Sequence, residues 1–139
     1  MNSEYKVFNQ SYVEGYQRSG GKVGGEMRGF KVLLLTTTGR KSGKTRTTPL
    51  GCFEHPQGYV IVASYGGSDS NPAWYYNLKE NPQVTVQVMD KIFPATAEIL
   101  TGEARTEAWK KVIAEVPLYG DYEKKTTRQI PLILLRPDK

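Results

Sequence analysis

The chain holds one cysteine, one histidine and no long apolar run. With Cys52 alone, no disulfide closes within the chain and no multi-cysteine metal set forms, which fits a reducing cytoplasm. With His55 alone, beside a proline in a turn, zinc has no convincing ligand set and no metal is expected. A Cys52–His55 nucleophile pair would need both side chains to converge, whereas Cys52 sits in a strand pattern as a core residue and His55 reads as surface. The longest apolar run near the start, Val32-Leu33-Leu34-Leu35, is far short of the roughly 20 residues that span a bilayer, and no secretory signal is visible. Acidic residues such as Glu98, Glu103 and Glu107 are scattered, without a pair suited to acid–base work. If such a chain is an enzyme, a cofactor carries the chemistry and the protein supplies binding and orientation.

What the chain does have is positive charge, unevenly distributed. Of its net +5, residues 1–46 carry nine Lys/Arg against three Asp/Glu, and the remainder carries ten against eleven. Nucleic acid, an anionic membrane surface and an acidic small ligand are all compatible with that asymmetry. The charge is densest in residues 36–50, Thr-Thr-Thr-Gly-Arg-Lys-Ser-Gly-Lys-Thr-Arg-Thr-Thr-Pro-Leu, which bring hydroxyls, Gly39 and Gly43 together with Arg40, Lys41, Lys44 and Arg46. Arg forks, ammonium groups and hydroxyls suit phosphate or carboxylate, and the glycines allow close backbone approach. The competing reading is a solvated hairpin whose lysines guard a sheet edge. A nucleotide-binding P-loop does not fit, because three residues rather than four separate the glycines and a threonine-rich strand follows instead of a helix.

A length of 139 residues at 38% hydrophobic content suits one domain with a single core. Tyr5, Phe8, Tyr12 and Tyr16 would line one face of an N-terminal helix. After it, Gly20, Gly21, Gly24 and Gly25 make residues 1–30 a partly flexible arm ahead of a body at 31–139. Docking of the arm on that body is the simplest reading; contact with lipid or with a ligand stays open. Strands are expected at about 31–38, 45–54, 59–64, 84–89, 92–100 and 131–136, with turns at 39–44, at His55-Pro56-Gln57-Gly58 and at Asp90-Lys91. Asn71-Pro72 reads as a helix start, with Asn71 as N-cap, and Asn81-Pro82 as its end. A second helix near 103–115 would pack through Ala104, Ala108, Val112 and Val116, and Tyr119 and Tyr122 would share a face if a helical turn follows Pro117. The fold class is mainly β (α+β), a small barrel of about six antiparallel strands with flanking helices.

Three separated blocks are similar to one family: residues 34–43 with 46–50, Ala63-Ser64-Tyr65-Gly66-Gly67, and Asn71-Pro72-Ala73-Trp74-Tyr75-Tyr76-Asn77-Leu78 running to Asn81-Pro82. Over about residues 31–136 the chain resembles the deazaflavin-dependent nitroreductase family. The resemblance implies an FMN-binding-like split β-barrel that holds the 8-hydroxy-5-deazaflavin coenzyme F-420, with FMN less favoured. It implies hydride transfer from the reduced coenzyme to an organic acceptor such as a quinone, a nitroaromatic or another conjugated compound. The coenzyme has a phosphate and an oligoglutamate tail, and Arg40, Lys41, Ser42, Arg46 and Thr47, with Thr48 beside them, match the positions that hold the phosphate and its surroundings. Pro49 and Leu50 would border the ring system, and Ala63, Ser64, Tyr65 and Gly66 would meet the ring edge. Trp74, Tyr75, Tyr76, Asn77 and Leu78 would line the other side of the groove, Trp74 and Leu78 being equally readable as core.

On the acceptor side the resemblance implies Ser64, Tyr119 and Tyr122 as catalytic residues, stabilising developing charge, with a proton from Tyr119 or solvent. Gly51 and Val116 depart from relatives that carry aromatic residues there. The implied partner is a small-molecule acceptor, in a cytoplasmic protein whose peripheral membrane contact and oligomeric state stay open; nucleic acid is not expected. Two other readings remain: a basic barrel that binds single-stranded nucleic acid through its tyrosines, and a flavin or deazaflavin carrier without turnover.

Overall fold

Central strands covered on both faces organise the molecule. The computed structural model describes residues 10–27, 30–64 and 71–138. In chain order these form α1 (Gln10–Ser19), β1 (Glu26–Met27), β2 (Phe30–Thr38), β3 (Thr45–His55), β4 (Gly58–Val62), α2 (Ala73–Glu80), β5 (Gln83–Val88), β6 (Lys91–Ile99), α3 (Gly102–Glu115), α4 (Leu118–Lys125) and β7 (Leu132–Pro137). Each of the six strands expected from turn spacing is present, its ends displaced by two residues at most. Because β2 pairs with both β3 and β5, the order β2-β3-β4-β7-β6-β5 closes on itself as an antiparallel barrel, and β1 adds a short pairing to β2. Closure leaves the six strands without a free edge.

Side chains alternate across each strand, so β2 sends Leu33 and Leu35 inward and Val32 and Leu34 outward. The interior gathers Leu33, Leu35, Cys52, Ile61, Val86, Ile133 and Leu135, and Trp74, Tyr75 and Leu78 of α2 pack onto the same cluster. Outside, α1 covers Val32 and Leu34 with Val13 and Tyr16, while α3 and α4 cover Phe53, Val60, Val62, Leu132 and Leu134. Strands covered on both faces read as continuous apolar runs, which is why Val32–Leu35 and Leu132–Leu135 stand out in the sequence. Burial in this core pushes the Cys52 thiol up to about 12 and removes it from thiolate chemistry. No helix among the described residues is long and apolar enough to cross a membrane.

Helix α1 is fastened by a buried phenol. Tyr16 is wholly buried; its hydroxyl donates toward Val32 O (2.9 Å), lies 3.3 Å from Gln87 O, and accepts from the Met89 N–H at 2.8 Å. The last bond holds Met89 in a left-handed conformation (φ 56°), so the β5–β6 turn falls at Met89-Asp90, one residue earlier than the sequence suggests. We expect Tyr16→Phe to lower unfolding free energy by about 1.5 kcal/mol, because the Met89 N–H and Val32 carbonyl lose a buried partner. Chemical denaturation checks this, and an unchanged midpoint would contradict it. Tyr5 and Phe8, expected on the same helical face, lie outside the described residues.

The packing face of α3 differs from the four-residue repeat. Ala104 is exposed, and Ala108, Trp109 and Val112 are buried. Trp109 has the largest apolar surface on the helix, and burying it turns the face toward itself.

Candidate functional site

The turn from Gly39 to Lys44 joins β2 to β3 and projects its cations into solvent. Its backbone is closed internally: the Gly39 N–H donates to Lys44 O at 2.7 Å, the Gly43 N–H to Gly39 O at 2.9 Å, and the Lys44 N–H to Ser42 Oγ at 3.2 Å. Gly43 adopts φ 72°, a left-handed conformation that glycine enters without penalty. At Gly39 a Cβ would lie 2.7 Å from Ser42 Oγ, so a side chain there would displace the serine. Both glycine amides are therefore used in shaping the turn, and what the turn offers a ligand is mainly side chains. Among the described residues the ion pairs are Lys31–Glu54, Lys110–Glu107 and Arg136–Glu98. Arg40, Lys41, Lys44 and Arg46 have no carboxylate partner there.

Strand register divides the residues that follow. Arg46 stands opposite Thr37 and Thr48 opposite Leu35, with Leu50 opposite Leu33, so these three share the inward face. Thr47 is opposite Thr36 and Pro49 opposite Leu34, on the face that α1 covers, and the Thr36 and Thr47 hydroxyls bond at 2.7 Å. The sequence-predicted set thus splits into two faces of one strand.

Helix α2 meets the turn directly. The buried Asn77 accepts the Arg40 N–H at 3.1 Å through Oδ1 and donates through Nδ2 toward Thr37 Oγ1 at 3.4 Å. The Arg40 guanidinium lies over the Tyr76 ring, 5.1 Å from its centroid. Trp74, Tyr75 and Leu78 face the barrel interior and shape this end of it, while Tyr76 stays exposed. Asn71 does not cap the helix. Pro72 occupies the cap position without a side-chain bond, and Asn71 Oδ1 instead accepts from Arg128 Nη1 at 2.8 Å, a charged donor that outcompetes a backbone amide.

Arg128 also donates through Nη2 to the carbonyl of Ser64 at 2.8 Å, so the end of β4 and the approach to α2 meet at one guanidinium. Ser64 and Ala63 are buried; Tyr65 and Gly66 lie outside the described residues. Tyr119 and Tyr122 occupy one face of α4, ring centroids 5.9 Å apart, and Tyr119 also meets Phe53 edge-on at 5.8 Å. Burial, with Tyr122 alongside, pushes the Tyr119 phenol up to about 12. The expected residues therefore form two assemblies: the cationic turn with α2, and the tyrosines of α4 with the outer β3 surface. The route between them runs through Ser64, Asn71 and Arg128. Sequence inspection missed Arg128, which lies in an unremarkable polar stretch and whose partners are distant in the chain.

The model of the F420H(2)-dependent quinone reductase family matches residues 9–137. An F420H(2)-dependent quinone reductase of Mycobacterium tuberculosis is 37% identical over 124 residues, covering 86% of this chain and 83% of that protein. Among solved structures, one described as an F420-H2 dependent reductase is 45% identical, with a TM-score of 0.70 over 76% of this chain and 93% of that one. Another, described as a domain-swapped dimer, is 38% identical, with a TM-score of 0.74 over 96% of this chain and 98% of that one.

Proposed function

The chain belongs to the F420H(2)-dependent quinone reductase family, and from that membership we infer an oxidoreductase that moves hydride from reduced coenzyme F-420 to a quinone. The observation that carries this reading to particular residues is the charge of Arg40, Lys41, Lys44 and Arg46 on one turn, without a carboxylate partner among the described residues. A phosphate and an oligoglutamate tail are anionic, and guanidinium and ammonium groups lacking their own counter-ions are the donors that hold such groups. The donor set fits the coenzyme.

When bound, the reduced coenzyme supplies the hydride. The protein's part is to bind, orient and stabilise charge. Ser42 Oγ accepts the Lys44 N–H and keeps its own proton for a phosphate oxygen. Arg40 is held at both ends, its N–H by Asn77 and its guanidinium over Tyr76, so its fork is partly oriented before binding. Tyr119 and Tyr122 each carry a phenolic proton that can stabilise the oxyanion developing as a quinone accepts hydride. The raised Tyr119 phenol keeps its proton at neutral pH and serves as a hydrogen-bond donor, and solvent supplies the proton that completes the hydroquinone.

Tyr119→Phe is expected to lower kcat about tenfold while leaving the Kd of coenzyme F-420 nearly unchanged. Because burial raises the folded phenol above its ordinary value near 10, the neutral form is favoured in the fold, and Tyr119 contributes no break to the rate profile between about pH 7 and about pH 9. An unaltered rate in the variant would remove Tyr119 from the mechanism. The function itself is tested by fluorescence titration with coenzyme F-420 and FMN in parallel, followed by oxidation of the reduced coenzyme with a benzoquinone. Saturable deazaflavin binding, weak FMN binding and quinone-dependent turnover support the reading; absence of binding by either cofactor overturns it.

A further inference from the structure

Two residues flank α2 on its upstream side, Ser64 two residues past β4 and Asn71 just before Pro72, and both are bonded to a residue from the far end of the chain. Arg128 reaches Asn71 Oδ1 and Ser64 O at 2.8 Å each with separate guanidinium nitrogens. The arginine is itself held. Its N–H donates to Thr126 Oγ1 at 3.3 Å, the neighbouring Ile130 is buried, and the Ile130 carbonyl accepts from Arg105 at 2.7 Å. One residue further, Pro131 O accepts the Ala63 N–H at 3.0 Å, so the connection from α4 to β7 lies directly against the end of β4.

That connection leaves α4, the helix carrying Tyr119 and Tyr122. Helix α2 belongs to the other assembly, the one that meets the cationic turn through Asn77, and Ser64 is tied to the approach to α2 by their shared Arg128. We propose that Arg128 is a positioning residue for hydride transfer: its two-pronged bond fixes Ser64 and the start of α2 relative to α4, and so sets the coenzyme side of the site against the acceptor side. The inference rests on the quinone reductase reading above. A planar fork bonds two fixed acceptors from separate nitrogens in one set geometry, which a lysine ammonium, with all its donors on a single rotating nitrogen, does not hold.

The test compares wild type, Arg128→Lys and Arg128→Ala by oxidised coenzyme titration, by kcat and KM with reduced coenzyme and a benzoquinone, and by thermal melting. We expect Arg128→Ala to lower kcat about tenfold, with a smaller rise in coenzyme Kd, and Arg128→Lys to fall in between although it keeps the charge. Guanidinium ion added at millimolar concentration restores part of the lost kcat in Arg128→Ala, a response that a general loss of stability would not give. Wild-type kcat and Kd in both variants, whatever their melting temperatures, overturn the positioning role and leave the quinone reductase reading standing. A wild-type chain that neither binds the coenzyme nor reduces quinone overturns both. If Arg128→Ala does not fold, Arg128→Lys decides alone, and wild-type kinetics in it count against the proposal.

Discussion

Replacing Lys41 and Arg46 together by alanine weakens coenzyme F-420 binding by roughly a hundredfold, or about 3 kcal/mol. Both side chains are exposed, and neither has a carboxylate partner among the described residues, so removing them releases no internal counter-ion and leaves the barrel core untouched. The whole effect should therefore appear in binding, with little change in melting temperature. Exposed charges are screened by salt, so wild-type Kd rises with ionic strength and the double variant loses much of that dependence. Removing equal charge at Lys91 and Lys110, exposed cations on β6 and α3, should change Kd by no more than about twofold, since neither belongs to the β2–β3 turn and exposed charges act weakly through salt. Fluorescence titration at two salt concentrations measures all of this. An unchanged Kd in the Lys41/Arg46 variant would sink the assigned site.

The cationic turn was legible because its chemistry is contiguous: cations, hydroxyls and two glycines fall within one hairpin connection whose length the flanking strands limit. The barrel was legible for a related reason. Its strands are bounded by turn residues, and those covered on both faces appear as unbroken apolar runs. Strand alternation also separates Arg46, Thr48 and Leu50 from Thr47 and Pro49, a period-2 consequence that motif matching ignores. The remaining features depend on tertiary competition. Asn71 carries a strong local capping signal, yet its oxygen is taken by a guanidinium from beyond α4. The Gly39 and Gly43 amides suggested an anion cradle, yet the turn consumes them in its own closure. Arg128 has no periodic or motif context, because its meaning comes entirely from acceptors that the fold brings to it.

The same competition makes Asn77 decisive, and a paired substitution separates its two roles. Its amide joins the buried Thr37 hydroxyl to the Arg40 N–H, so a core contact and the orientation of the cationic turn pass through one side chain. Asn77→Leu should destabilise the protein by about 2 kcal/mol, because the Thr37 hydroxyl is left buried without its partner. Adding Thr37→Val removes the orphaned hydroxyl, and replacing both partners by apolar groups of similar shape is nearly neutral, so the double variant recovers most of that stability. Coenzyme binding should not recover with it. Neither substitution restores an acceptor to the Arg40 N–H, the turn is no longer held against α2, and Kd stays raised by about tenfold in both variants. Denaturant titration and coenzyme titration on the two proteins give the comparison. A double variant that regains wild-type Kd along with its stability would mean that Asn77 acts through the core alone, and that the cations of the turn find the coenzyme without its help.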